Sequence, residues 1–515
     1  MNYPVWYLPG VGGGTLIAVI AVTHVFVSHF AVGGGLYLVV SEHLGLREKN
    51  QDLLDFTRRY AKFFLLATLV YGSLTGVGIW FVISLVQPAG TSLLIHNFVF
   101  GWATEWVFFV VEITAITVYF YTFGRMEPRA HMAVGWVYFA AAWLSLFVIN
   151  GIITFMLTPG GWTGTGNFWA GFFNPTFWPS LLFRTLIAIS LAGIFALMAT
   201  AYSRTPEIKR SMTRFSGWWA VLPLVAAAPV GWWYLQTLPE EARRMVLQAN
   251  PTIQSALDHG LYALGGLAVL VLIFTLLRPA WHNRVVSFLI LTCALIVMGA
   301  FEWTREAARR PYIVNGSAGV MYSSGIASAE LEKINQQGFL ATAGWTAVKE
   351  VRDETLLMAG EEIFKFQCYA CHTIGGLNND ILARTAGFDF ESMLDYIDNI
   401  HEIRYFMPPF AGTKAEARAL AAFIVQGLHG EEIPSAGKEP VSAKSGKDLF
   451  RTKCTGCHPQ SLIAERTAGW DEDKTLWALD HLSELNPAMP NFKWTDEERE
   501  RLAEFILSLQ KGDAK

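Results

Sequence analysis

Along residues 13–304, long apolar stretches alternate with short polar breaks. A helix that crosses a bilayer needs about 20 apolar residues in a row. Eight such runs, near 13–41, 62–86, 102–123, 132–157, 179–202, 216–236, 258–277 and 285–304, predict an eight-span helical bundle. The chain ahead of the first run, Met1 to Trp6, carries no basic residue. That run is also too long for a secretory leader and contains His24 and His29, which argues against a cleaved signal peptide. Beyond the last span the pattern changes. Residues 312–350 form a connector of mixed character, and helical runs follow near Ala415–Gln426 and Asp496–Leu509. A stretch rich in Pro, Ser, Ala and Lys at 431–446 separates two units, 351–430 and 447–515. The expected fold class is therefore all-α: a transmembrane bundle over 1–311 followed by two small helical domains.

The breaks also carry a charge pattern. Segments 41–62, 124–131, 203–215 and 278–284 hold thirteen Lys and Arg residues, whereas the alternate segments hold only Arg243 and Arg244. The positive-inside rule then puts the first set in the cytoplasm and both termini outside it. With 52% hydrophobic and 16% charged residues among 515, the chain is too apolar for a purely soluble protein. Residues 350–515 hold 18 Lys+Arg against 28 Asp+Glu, and residues 1–349 hold 21 against 15. The acidic part either attracts a basic partner or simply keeps a soluble domain in solution.

Four of the five cysteines fall in two motifs of one pattern, Cys368-Tyr-Ala-Cys371-His372 and Cys454-Thr-Gly-Cys457-His458. Cys-x-x-Cys-His is the attachment pattern of c-type haem: two thiols bond the ring and the histidine takes one axial iron position. A Met-Pro follows each, at Met407 and Met489, offering the second axial ligand or filling a core gap. Each unit resembles a small class I cytochrome c, which implies two covalent haem c groups. Covalent haem attachment in bacteria occurs outside the cytoplasm, on the side the loop charges independently assign to these domains. Cys293, in an apolar run, reads as a small core residue.

Ionisable groups inside a bilayer are costly and mark function. This bundle holds Glu105 and Glu112 on span three, Arg184 on span five, Glu302 and Glu306 on span eight, and His24 and His29 on span one. Glu105 and Glu112, two turns apart on one helix face, suit proton transfer or a helix–helix hydrogen bond. His24 is either a haem ligand or a satisfied bundle histidine. His43, His131 and His282 lie at cytoplasmic ends, where dipole or headgroup roles suffice. Arg305, Arg309 and Arg310 either pair with haem carboxylates or anchor the span end.

Over roughly residues 15–315 the chain resembles the large subunit of the cytochrome bd oxidase superfamily. Thr23-His24-Val-Phe through Glu42 resembles its first helix, whose histidine binds an active-site haem, so the resemblance gives that role to His24. Span three resembles the two-glutamate helix, which implies Glu105 and Glu112 as the catalytic proton path, with spacing seven where the family usually has eight. His131-Met132 opens span four as in the family. Glu306-Ala-Ala-Arg309-Arg310-Pro311-Tyr312 resembles the family's Glu-x-Gly-Arg-Gln-Pro-Trp and makes Glu306 a second haem ligand, with Arg309 beside it. Two features of quinol-oxidising members are missing. Leu182-Phe183-Arg184-Thr185 stands where they have a helix-five histidine, and 237–258 replaces a long quinol-binding loop.

The resemblance implies a respiratory oxidoreductase with two membrane haems of b or d type. It would draw electrons from a soluble or membrane-bound donor and pair with a further membrane subunit in the bacterial inner membrane. Oxygen reduction to water is the leading expectation. Reduction of another small acceptor such as nitric oxide, an electron-transfer subunit of a larger complex, and quinol–cytochrome c electron transfer stay open. Nothing in the chain calls for a nucleic acid partner.

Overall fold

The computed structural model describes residues 3–203, 205–244, 246–247, 251–309, 320–404, 407–433, 445–454, 458, 460–485, 489, 492 and 494–510. The described residues are helical and turn, with a single isolated bridge between Met321 and Ala327. Two compact units emerge. One comprises Ile17–Ser84 and Gly90–Ala318; the other comprises Met1–Leu16, Leu85–Ala89 and Gly319–Lys515.

The larger unit is built from membrane-length helices. Among the described residues there are eight: α1 (Gly13–Arg47), α2 (Gln51–Val86), α3 (Val99–Thr122), α4 (Pro128–Phe155), α5 (Phe177–Ala201), α6 (Pro206–Gln236), α7 (Ile253–Leu277) and α8 (Arg284–Glu306). All eight expected spans are present, and several run past the limits that hydropathy sets. The stretch 41–62, read as a polar break, is mostly helix, interrupted only between Arg47 and Gln51. Asn50 restarts the chain by accepting from the Leu53 amide, the bond expected of a helix N-cap. The next turns place Leu53, Phe56, Tyr60 and Phe64 on one buried stripe while Lys and Arg stay outside, so an amphipathic helix carries the basic residues. Leu66–Gly72 within α2 and Leu272–Leu277 at the end of α7 are π-helical.

α5 is the central element, packed against α4, α6 and α8. Small residues let backbones meet there, as is usual where lipid supplies no hydrophobic drive between helices. A Cβ on Gly33 of α1 would sit 1.9 Å from the Ala188 carbonyl oxygen of α5. One on Gly193 of α5 would sit 2.5 Å from the Ser216 carbonyl oxygen of α6. The surface of this unit carries exposed Leu74, Val77, Phe81, Phe100, Val225, Tyr262 and Val285, the apolar exterior a bilayer requires.

The smaller unit holds two helical domains. In the first, Leu356–Gln367 crosses Lys414–Ala422, with Phe390–Asp398 packed beside them. The connector left without assignment by its sequence joins this core from residue 320 onward: Ile326, Ile334, Phe339, Leu340 and Ala343 are all buried in it. Glu416 fixes the junction by accepting from the Phe339 and Leu340 amides at 2.9 and 2.7 Å, which puts a carboxylate on a helix N-terminus. In the second domain Gly446–Lys453 crosses Asp496–Gln510. Most of the 431–446 linker, 434–444, lies outside the described residues.

Candidate functional site

The first Cys-x-x-Cys-His motif begins where a helix ends. Cys368 is the C-cap of Leu356–Gln367, and the amides of Cys371 and His372 both donate to its carbonyl, turning the motif into one tight loop. Burial pushes the Cys368 thiol up to about 12, with Cys371 adding to the effect, so this sulfur stays protonated. His372 Nδ1 donates to the Asn379 carbonyl at 2.9 Å, the arrangement that turns Nε2 towards a metal. Asn379 sits in the left-handed region at φ 47°, where asparagine is tolerated, and its amide group returns to the Cys371 carbonyl at 3.2 Å. Gln367 makes a two-way bond with the backbone of Ala411, at 2.8 and 3.2 Å. That bond ties the end of the cysteine-bearing helix to the loop after Met407. The Met407 carbonyl in turn accepts from His401 Nδ1. Cys368, Cys371 and His372 thus share one tight loop at a helix end, and the backbone around Ala411 ties that end to the segment that follows Met407.

The second domain repeats this with an offset of 86 residues at the motif. Gly360, Phe364 and Cys368 recur as Gly446, Phe450 and Cys454. Each glycine lies at a helix crossing: a Cβ on Gly360 would be 2.1 Å from the Ala419 carbonyl oxygen, and one on Gly446 1.9 Å from that of Arg501. Thr413 and Thr495 each bond a glutamate three residues on at the start of the closing helix. His458 and Met489 are half-buried, whereas Cys457 lies outside the described residues. Burial, and then the nearby charge of Arg404 from the first domain, lower the pKa of His458. Lys453 lies 3.8 Å from Asp389 of the first domain, so the two motif regions share a neighbourhood.

Within the bundle, His24 on α1 is half-buried and its Nδ1 lies 3.0 Å from the Thr75 hydroxyl of α2. Thr75 bonds back to the Tyr71 and Gly72 carbonyls, at the end of the π-helical turn. Gly76 gives the ring a flat bed, because a Cβ there would stand 3.2 Å from His24 Cε1. The imidazole is therefore oriented from α2, by the Thr75 hydroxyl at Nδ1 and by the Gly72 backbone. That suits an axial ligand.

A second polar group joins three helices. His29 Nδ1 donates to the Val25 carbonyl at 2.8 Å, and its Nε2 accepts from Arg184 Nη1 of α5 at 3.2 Å. Arg184 faces Glu302 of α8 at 3.5 Å, and Glu302 takes Nε and Nη2 of Arg305 at 2.9 and 2.6 Å. His29, Arg184, Glu302 and Arg305 thus form one buried network; their sequence separations gave no hint of it. Glu306 is half-buried one residue further on, and the Arg309 side chain lies outside the described residues.

Glu105 and Glu112 on α3 are both half-buried, and Glu105 accepts from Ser145 of α4 at 3.1 Å. His131, for which a dipole or headgroup role at a cytoplasmic helix end sufficed in the sequence, is buried and faces Glu42 at 2.6 Å. Sequence reading also missed Thr75, Gly360 and Gly446. The glycine signal was present as a repeated Gly-x-x-x-Phe-x-x-x-Cys, but the Thr75 contact spans 51 residues and leaves no local trace.

Comparison with known proteins places two segments of the chain in described families. Residues 15–246 match the family described as cytochrome bd terminal oxidase subunit I. Residues 355–424 and 441–506 match cytochrome c oxidase, cbb3-type, subunit III. The fold is similar to the structure of bd oxidase from Geobacillus thermodenitrificans, with 17% identity and a TM-score of 0.54 over 62% of this chain and 92% of that one. No curated protein matches the chain.

Proposed function

We propose that this chain, whose residues 15–246 match cytochrome bd terminal oxidase subunit I and whose C-terminal units match cytochrome c domains, is a haem c-fed respiratory reductase of oxygen in the bacterial inner membrane. Cys368, Cys371, His372 and Met407 hold one haem c; Cys454, Cys457, His458 and Met489 hold the other. His24 and Glu306 hold two membrane haems of b or d type, with Arg309 beside them. Bound haems supply one-electron transfer and a place for a diatomic ligand.

The chain's own residues do the rest. Thr75 and Gly76 fix the His24 ring, so the ligand needs no reorientation when the metal binds. Glu306 offers a carboxylate, a weak ligand that favours an open coordination position. Glu105 and Glu112 carry protons to the acceptor. The side opposite the basic segments is the outer one, and it bears the haem c domains, where a soluble or membrane-bound donor reaches them. A further membrane subunit completes the assembly.

The observation that carries this reading is the oriented imidazole of His24 on a chain that also holds two c domains. Oxygen uptake by the detergent-solubilised, haem-loaded protein tests it, with ascorbate and a redox mediator compared against quinol alone. Uptake from the mediator that haem ligands inhibit, with none from quinol, is the expected result. A preparation whose haems all reduce, yet which takes up no oxygen and binds no carbon monoxide, would make the chain an electron-transfer subunit.

A further inference from the structure

Helices α3 and α4 run antiparallel and share a polar seam with a constant register. Along α3, Glu105, Glu112 and Tyr119 recur every seven residues; along α4, Ser145, Tyr138 and His131 recur at the same interval in reverse. A seven-residue step drifts only about 20° around a helix, so each set lies along one face. The pairings follow. Ser145 donates to Glu105 at 3.1 Å and the Tyr119 ring stacks on His131 with centroids 4.3 Å apart; between them Tyr138, within electrostatic reach of Glu112, gives its hydroxyl to the Ala31 carbonyl of α1 at 3.1 Å.

The seam ends in a buried triad. Glu42 of α1 takes the Tyr119 hydroxyl on Oε2 at 2.7 Å and faces His131 Nδ1 through Oε1 at 2.6 Å. His131 Nε2 lies 2.8 Å from the Tyr119 carbonyl oxygen. All three residues are less than 5% exposed. Gly135 makes the packing possible: a Cβ there would stand 2.7 Å from Val39 of α1 and 3.1 Å from the Tyr119 ring.

Hydrogen-bond chemistry fixes the protons. A carbonyl oxygen only accepts, so Nε2 carries a hydrogen. A bare Nδ1 lone pair facing a carboxylate at this distance would be repelled, so another proton lies between Nδ1 and Oε1, whichever atom owns it. Glu42 and His131 therefore hold one exchangeable proton in a buried site. The triad sits beside the basic breaks that carry Arg47, Arg58, Arg59, Arg125 and Arg129.

We propose that Glu42, His131 and Tyr119 form a proton-loading site that supplies Glu112 and Glu105 along the α3–α4 seam. This rests on the reading above that the bundle consumes protons at its acceptor. A proton arriving at the Glu42–His131 pair releases one through the Tyr119 hydroxyl; only N–H and O–H bonds change. Successive positions on α3 are about 10 Å apart along the axis, so the relay requires water between these polar side chains.

The test uses the full-length, haem-loaded protein with Glu42→Gln and Tyr119→Phe. Haem content, the rate of anaerobic haem c reduction and oxygen uptake per haem are measured in H2O and D2O. Glu42→Gln is expected to lower uptake per haem by roughly tenfold or more, within the range of a lost proton-transfer group. Tyr119→Phe should lower it several-fold and raise the solvent isotope effect, with haem content and haem c reduction unchanged in both. Normal uptake and isotope effect in Tyr119→Phe overturn the proposal, including where Glu42→Gln fails to assemble. Should the unmutated protein consume no oxygen, the functional reading fails on its own. Proton uptake on anaerobic reduction then decides the triad: equal uptake in Tyr119→Phe and the parent refutes it.

Discussion

Gly360 lies where the helix bearing Cys368 crosses Lys414–Ala422, and Gly360→Ala tests whether that crossing sets the haem c geometry. Helix propensity alone favours alanine in a helix interior by about 1 kcal/mol, so a helix without this contact would gain stability. The structure gives the opposing effect. The new Cβ would stand 2.1 Å from the Ala419 carbonyl oxygen and 2.6 Å from Phe423 Cβ, where 3.4 Å is ordinary contact. Backbone cannot yield as a side-chain tip does, so the helices must separate by more than an ångström. Overpacking of a close-packed interior costs about 1–3 kcal/mol, and a backbone clash belongs at the upper end, which outweighs the propensity gain. A net loss of about 2 kcal/mol lowers Tm by roughly 4–8 °C in a unit of 150–250 residues. Thermal unfolding followed by haem c absorbance in the intact protein reads this directly. Gly344→Ala, with no atom within 4 Å of its Cβ, is the matched control. A Tm for Gly360→Ala equal to or above the parent's refutes the crossing as drawn.

Four further outcomes are expected. His24→Ala should lose membrane haem and carbon monoxide binding while both haem c groups stay, as judged by pyridine haemochrome spectra. Met407→Leu should keep covalent haem in the first domain but lose its near-infrared methionine band and lower its potential. Burial raises the Asp395 pKa above the usual carboxylate value, so its ionised form is disfavoured in the fold and native stability falls as pH rises through that range. Asp395→Asn should therefore raise the Tm of the c domains at neutral pH and leave it unchanged in acid, where Asp395 is already neutral. Removing one partner of a buried ion pair costs about 3–5 kcal/mol. Arg184→Met should cost less, because Glu302 keeps both contacts to Arg305; thermal inactivation of the solubilised protein measures it.

Much of this architecture was legible because membranes and covalent haem impose local rules. Length and apolarity located all eight spans, and the two Cys-x-x-Cys-His motifs located the c domains. Hydropathy failed at span ends such as Gln51–Leu65, where half the residues are polar and only the buried stripe shows that the helix continues. The connector after residue 320 was opaque because its apolar side chains pack against the first domain's core and its Phe339 and Leu340 amides donate to Glu416, 77 and 76 residues away in sequence. The polar networks were the least legible. Arg184 and His29 are 155 residues apart, and Glu42 and His131 are 89 apart, so only tertiary packing pairs them. The seven-residue recurrence on α3 and α4 was readable, but its meaning needed the antiparallel register.

The two buried polar networks of the bundle differ in a way that bears on their roles. The Glu42–His131–Tyr119 triad is neutral as a whole, and each ring nitrogen and carboxylate oxygen has a close partner. A proton can change owner there without creating net charge, which is what a buried relay requires, since an isolated ion at that depth is prohibitively costly. The His29–Arg184–Glu302–Arg305 network sets two guanidinium groups against one carboxylate, with Glu306 acting electrostatically on Arg305. Guanidinium does not give up its proton in proteins, so this group cannot relay protons in the same way. Arg184 Nε makes no hydrogen bond to the described residues, and a buried donor of that kind is expensive unless an acceptor meets it. The proton relay proposed above is therefore confined to the α3–α4 seam, and this network holds fixed charge where α1, α5 and α8 meet.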